Sequence, residues 1–410
     1  MIRTITLTLF VFILYVATGL ETLVGGRMDI SDAFYIATVG LDKEDDEIQM
    51  TIVTKQYSPK EETSQIAKQD KYFVSVGRDV FEAARNFNSF MDKETFWGHV
   101  SYILVSENLA QKDIDSALDF FVRDHEHKLT SNVLVIKDAR AEEAIKLVTD
   151  SGEDITTKLK VLSKGVGALS ISSELPLIDA FNKINNKYCS CYIPTLKIVE
   201  DQKDEPEEET KEASNTENEK TDEKTKRLVL EGYVFFDQDD AKLLCSIEGG
   251  TARGFNFIIN KIKSGVIVVK DPDGEYVNLE IIDSKTEIIP KIEDDKITVK
   301  LKTKMNSNIS EIHGEVDIFK ADIIEGLVNQ QNDIIKAEMQ SVIGLVKEYN
   351  SDLFDLSSVI NHKYPKKWDK IKDNWREVFK DIKFEIEVES KINRTYSIKK
   401  PALSREKEKK

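Results

Sequence analysis

The sequence predicts an α+β fold: an elongated, multidomain arrangement of mixed α/β layers, with antiparallel-rich sheets packed against helices and a long amphipathic helix in the C-terminal domain. Three observations predict it. Strand-like and helix-like patches alternate from Asp29 to Val199, as they do in an α/β layer domain. Beyond residue 227, period-two runs recur around acidic or Asp-Gly turns, the mark of antiparallel hairpins. Residues 321–349 then carry Ile324, Leu327, Ile334, Ile335, Met339, Val342, Val346 and Tyr349 at helical spacing, a helix of about 40 Å at ~1.5 Å per residue.

Taken in order, the elements begin with "FYIATVGLD" (34–42) and "EIQMTIVTKQY" (47–57), two strands joined by the acidic turn "KEDDE". "DVFEAARNFNSFM" (79–91) places Val80, Ala83, Ala84, Phe87 and Phe90 or Met91 on one helical face. "HVSYILVSE" (99–107) reads as a buried strand leading to a helix around 113–124, and "SNVLVIKD" (131–138) as a strand followed by a helix over 140–148. Further on, 227–247 and 265–282 each give two strands, 296–305 alternates with period two, and 384–390 gives a last strand. A final helix is predicted to carry Trp368, Ile371, Trp375 and Phe379 on one side.

At 410 residues the chain suits two or three domains of about 150 residues each. Residues 200–227 contain one alanine and no larger apolar side chain. Such a segment has nothing to bury against its ordering entropy, so an acidic, disordered linker is predicted there. The expected division is therefore 1–26 signal peptide or signal anchor, 27–199 N-terminal α/β domain, 200–227 linker, 228–397 C-terminal α+β domain and 398–410 disordered tail. The first segment rests on Ile5–Leu20, an apolar run behind Arg3. Its roughly 16 residues fall short of the ~20 that usually span a bilayer, which favours a cleaved export signal and leaves a retained anchor open.

Composition excludes some functions. With 74 acidic against 58 basic residues and a formal charge of -16, the chain lacks the basic surface that nucleic-acid phosphates require. Cys189, Cys191 and Cys245 are too few for a disulfide framework, though one pair remains open. "HEH" (125–127) reads as an exposed loop, because no third and fourth metal ligand is in view. "DPDGE" (271–275) is a turn between two strands and not a calcium loop, and "GVGALS" (165–170) lacks the strand-to-helix context of a dinucleotide site. His99 has no nucleophile motif beside it. No catalytic, cofactor-binding or metal-ligating set is assigned. Trp368 and Trp375, seven residues apart, are expected to form a packing seam, with a partner-facing hot spot as the alternative.

The order of "ISDAFYIATVGLDKEDD", "GHVSYILVSENLAQKDIDSALDFFVRDHE", "LEGYVFFDQDDAKLLCSIEGGTARGFNFI" and "HKYPKKWDKIKDNWREVFKDIKFEIEVESKINRT" resembles the spore germination Ger(x)C family, the C subunit of nutrient germinant receptors. Tyr364, Pro365, Trp368, Asp373 and Trp375 are its most specific run. The resemblance implies a non-enzymatic subunit without cofactors, exported to the outer surface of the spore inner membrane beside A-type and B-type integral membrane subunits. It also implies a lipid-bearing cysteine directly after the signal peptide. Here the sequence departs from the family: Gly26 stands at the usual cysteine position and no cysteine precedes Cys189. Lipidation at that site is impossible, and attachment through an uncleaved N-terminal segment is expected instead. The alternative function is an exported solute-binding protein acting alone.

Overall fold

A computed structural model of the chain describes residues 33–55, 71–200, 226–294, 296–313 and 320–395. The expected N-terminal signal segment with Gly26, most of the acidic segment and the expected tail lie outside these residues. Among those described, no helix is long and apolar enough to cross a membrane.

The first sheet is built from β1 (Ala33–Glu44), β2 (Glu47–Lys55), β3 (Lys71–Gly77), β4 (Glu94–Phe96), β5 (Tyr102–Ser106), β6 (Asn132–Lys137), β7 (Cys191–Glu200), β8 (Lys226–Phe236) and β9 (Leu243–Ile247). Its order is β3-β2-β1-β5-β6-β7-β8-β9, with β4 beside β1. The β1–β2 hairpin forms as the sequence predicts, turning at Asp45 with φ 50°, a left-handed position that Asp tolerates better than most residues. β1, β5, β6 and β7 run parallel. Their crossovers carry α1 (Val80–Asn86), α2 (Glu107–Arg123), α3 (Ala141–Thr149), α4 (Ile155–Leu169) and α5 (Leu177–Ile184).

Strand periodicity decides which helix goes where. Ile103, Val105, Val133 and Val135 point to one face and meet Leu109, Ala110 and Ile114 of α2. The alternate residues Tyr102, Leu104, Leu134 and Ile136 point to the other and meet Ala141, Ala144 and Ile145 of α3, with Leu159 of α4. A central strand buried on both faces reads as a continuous apolar run, which is what "YILVS" is.

The strands that flank the acidic segment are neighbours in one sheet. β7 ends at Glu200, β8 begins at Lys226, and these two residues face each other in an antiparallel ladder. The sheet therefore continues across the position where composition divides the chain. Pro194 sits beside the bulge in this ladder and just before β6 begins to pair, where the lack of an N–H does least harm.

The second sheet has the order β10-β11-β12-β13, with β10 (Val266–Lys270), β11 (Tyr276–Glu293), β12 (Lys296–Ile312) and β13 (Lys383–Thr395). Its first two pairings are antiparallel, whereas β12 and β13 are parallel. Parallel strands need a long crossover, and the residues between them supply α7 (Ala321–Tyr349), α8 (Leu356–Lys363), α9 (Pro365–Ile371) and α10 (Trp375–Lys380). The single final helix expected from the Trp368–Phe379 spacing is thus α9, a 3-10 turn (Lys372–Asn374) and α10. Tyr364, at φ -133° and ψ 58° before Pro365, ends α8, because a residue preceding proline is pushed out of the helical region.

α7 buries Leu327, Ile335, Met339, Val342, Ile343 and Val346. Gln331 lies on the same face, where its carbonyl accepts from Ser307 on β12 at 2.7 Å and its amide donates to Ser390 on β13 at 2.6 Å. α6 (Gly249–Ile258), the remaining helix, crosses α7 at Gly254. A Cβ at that position would stand 2.2 Å from the Glu338 carbonyl oxygen. Gly254→Ala gains ~1 kcal/mol of helix propensity but forces the helices apart, so a net loss of ~1–3 kcal/mol is expected. Urea unfolding checks this, with a lower midpoint and an unchanged slope as the expected result.

Candidate functional site

The residues of the Tyr-Pro-Trp run meet the first sheet through the segment that precedes β7. Trp368 and Trp375 pack edge to face at 5.1 Å and are 5% and 3% exposed. Trp368 makes a second edge-to-face contact with Tyr188 at 5.1 Å, and Trp375 Nε1 donates to the Tyr188 carbonyl at 3.0 Å. Tyr364 Oη and Lys363 Nζ donate to the Pro290 carbonyl at 3.3 and 3.0 Å, while Pro365 opens α9. Arg376 adds an ion pair to Asp237 at 2.8 Å and another to Asp239.

A polar knot lies beside the indoles. Ser190 N–H donates to the Asp352 carbonyl at 2.9 Å, and the Ser190 and Ser351 hydroxyls bond each other. The Asp352 carboxylate accepts from the N–H groups of Phe354, Leu356 and Ser357 at 3.2, 2.9 and 2.9 Å. It thereby caps α8, whose preceding residue Asp355 sits at φ 59° and makes no side-chain cap. Burial pushes the Asp352 pKa up to about 7, outweighing the three N–H bonds that favour its charged form. Sequence reading passed over Asp352 because the usual cap position, directly before the helix, is held by Asp355.

Cys189 and Cys191 flank Ser190 as free buried thiols, and Cys245 is also free. Burial raises all three, Cys191 to about 12 and Cys245 to about 11, so none is a ready nucleophile. His99 stacks against Tyr35 and Phe96 at 5.1 and 5.6 Å, and desolvation lowers its pKa. The "HEH" loop is exposed only in part. His125 faces solvent, whereas His127 turns inward against Trp97, Phe120 and Phe121 at 5.3, 5.2 and 4.8 Å. Desolvation pushes its pKa down to about 4. The turn Asp124–Ser131, closed by bonds from His127 N to Asp124 O and Ser131 N to Lys128 O, points the second histidine into the core. Among the described residues no three His, Cys, Asp or Glu side chains converge as metal ligands.

"DPDGE" is a turn: Asp271 Oδ1 accepts from Asp273 and Glu275 N–H at 2.9 Å, with Gly274 at φ 90°. "GVGALS" closes α4, with Ser170 in the left-handed C-cap position.

Comparison with known proteins decides the family. Residues 26–198 match the spore germination protein N-terminal domain, and residues 231–396 match the spore germination B3/GerAC-like C-terminal domain. The chain belongs to the Ger(x)C family. Among its curated relatives, spore germination protein KC of Bacillus subtilis (strain 168) is 21% identical over 323 residues, covering 78% of this chain and 77% of the relative. Spore germination protein B3 of the same organism is 23% identical over 377 residues, covering 89% and 91%. A crystal structure of the GerBC protein aligns with TM-score 0.54 at 19% identity, covering 86% of this chain and 96% of that one, and shows a shared fold. The Ger(x)C resemblance read from the sequence is thus confirmed.

Two measurements probe the interior of this Ger(x)C chain. Trp368→Ala removes a buried indole touching both Tyr188 and Trp375 and is expected to cost ~3–5 kcal/mol. A loss below ~1 kcal/mol in urea titration contradicts that. The second concerns acid. His127 refuses, down to about pH 4, a proton that the unfolded chain accepts below its ordinary 6.5, so stability present above 6.5 is lost as pH falls through that window. Asp352 works the other way: it holds a proton up to about pH 7 that the unfolded chain releases near 3.8, so stability present below 3.8 is lost as pH rises toward 7. The two slopes oppose each other between about pH 4 and 6.5. Asp352→Asn is therefore expected to steepen the fall in Tm on acidification, and His127→Phe to reverse or flatten it; parallel Tm–pH curves for both variants and the parent contradict the assignment.

Proposed function

We propose that the chain is the C-type, non-enzymatic subunit of a spore nutrient germinant receptor, acting at the outer face of the spore inner membrane beside A-type and B-type integral membrane subunits. The observation that carries this reading is the succession of the two germination-protein domains over 26–198 and 231–396. Relatives named for spore germination are matched along most of their own length, so the reading concerns a whole subunit and not a borrowed domain.

Attachment is the point at which this chain differs. With Gly26 at the usual cysteine position and no cysteine before Cys189, no thiol is available near the N-terminus for a lipid. The apolar run 5–20 is proposed to remain uncleaved as the anchor. A tether of that kind raises the effective concentration of the subunit at its membrane partners without any new contact.

Spores lacking the gene are expected to form normally and to lose the fall in optical density that follows addition of at least one nutrient. A full response to every nutrient tested refutes the receptor reading. The anchor is tested separately by intact mass: full-length protein of 46.7 kDa in the spore membrane pellet is expected, whereas a soluble product beginning near Gly26 or Arg27 overturns it.

A further inference from the structure

The edge of a β-sheet presents a row of unpaired backbone N–H and C=O groups, which proteins ordinarily close. The second sheet closes one of its two edges. Along β10, the Gln330 amide of α7 accepts from the Lys270 N–H at 3.0 Å and donates to the Lys270 carbonyl at 2.7 Å. Arg253 of α6 donates to the Val266 carbonyl at 2.7 Å and is held by its ion pair with Glu338. The other edge is β13, thirteen residues from Lys383 to Thr395. Among the described residues no side chain or loop bonds its backbone on the side away from β12.

Both faces of β13 are left incomplete. Phe384, Ile386 and Val388 share a face with Ser390, which meets Gln331 of α7, and they pack on the core while only half-buried. Register sets Phe384 beside Val299 and Ile386 beside Leu301 of β12, and those two neighbours are fully buried. One further strand covers that difference. On the opposite face Glu385, Glu387 and Glu389 alternate. β12 meets them from one side only: Lys300 pairs with Glu387, and Lys302 with Glu387 and Glu389 at 2.5 and 3.0 Å. Glu385 and Glu389 remain exposed.

The charges choose the occupant. β12 shows the pattern that β13 accepts: Lys300, Lys302 and Lys304 alternate with Val299, Leu301, Thr303 and Met305, so that lysines meet glutamates on one face while the other continues the core. A second copy of β13 fits poorly, because antiparallel pairing about Glu387 sets Glu385 against Glu389, and like charges directly opposite are destabilising. We propose that β13 takes an extended segment of a partner protein in which basic and apolar side chains alternate, added to the sheet as a fifth strand. Its basic side chains meet Glu385 and Glu389, and its apolar ones cover Phe384, Ile386 and Val388. The inference rests on the sheet alone and stands independently of the receptor reading.

The test uses the full chain and two labelled synthetic peptides: the sequence of residues 296–305, KITVKLKTKM, and the same peptide with glutamate in place of every lysine. Fluorescence anisotropy reads affinity, and amide hydrogen exchange reads the edge. The basic peptide is expected to bind and to slow exchange within Lys383–Thr395, and the acidic peptide not to bind. Glu385→Lys combined with Glu389→Lys, both at exposed positions, is expected to weaken the basic peptide about tenfold, the scale of two cross-strand pairs turned from attractive to repulsive. The same variant is expected to admit the acidic peptide. Asp115→Lys combined with Glu143→Lys changes net charge equally at exposed positions of α2 and α3 and is expected to leave binding unchanged, which separates pairing at β13 from general attraction to an acidic chain. No binding of the basic peptide, an equal loss in the control variant, binding without slowed exchange in β13, or a dimer in sedimentation that the Glu385 and Glu389 substitutions dissolve each overturns the assignment.

Discussion

Glu200 and Lys226 face each other at the end of the β7–β8 ladder, and the placement of the C-terminal half follows from that pairing. Glu200 and Lys226 lie on adjacent strands, so bringing them together carries a closure cost of ~3 kcal/mol at that sequence separation. The ladder offsets the cost with nine residue pairs from Cys191–Phe236 to Glu200–Lys226 and with the burial of Tyr233, Val234, Phe235 and Phe236 behind it. Once β8 is in place, β9 extends the sheet, α6 follows directly, and α6 docks α7 at the glycine that permits close approach. The second sheet is therefore hung on the first through a helix pair and not through an independent linker.

The indole seam and the Asp352 knot secure the same junction by different physics. Burial of Trp368 and Trp375 is non-directional and tolerates small shifts, whereas the knot is geometric: the Ser190 N–H, the serine hydroxyl pair and three backbone donors each demand a partner in one position. Burying a carboxyl group there is costly unless it is bonded or neutral, and a pKa near 7 is the compromise. A polar knot next to an apolar seam selects one register of the α8–α10 crossover where apolar packing alone allows several.

What the sequence discloses depends on whether the signal is periodic. The β1–β2 hairpin and α7 were legible because their apolar positions repeat at 2 and 3.6 residues over long windows. α4 was missed because Gly165 and Gly167 interrupt its pattern, and α6 because it opens on Gly249 and Gly250. The place of the acidic segment was hidden for another reason: composition reports that residues 200–227 bury nothing, but not that the strands on either side are neighbours. The inward turn of His127 depends on a loop's hydrogen bonds, which leave no trace in periodicity. The family pattern was legible as an ordered set of motifs, whereas the open edge was not, since β13 comes to form it only by joining the sheet in parallel beyond β12.

Parallel register in the first sheet also fixes the place of the seam. Ser190 precedes β7 and Tyr188 lies just before it, so the seam sits at the amino ends of the parallel strands, while Ser106 and Asp138 mark their carboxyl ends. Six residues of β6 at ~3.3 Å each put about 20 Å between them. Parallel strands present all their carboxyl ends on one side, and this chain spends the amino side on holding its second half together.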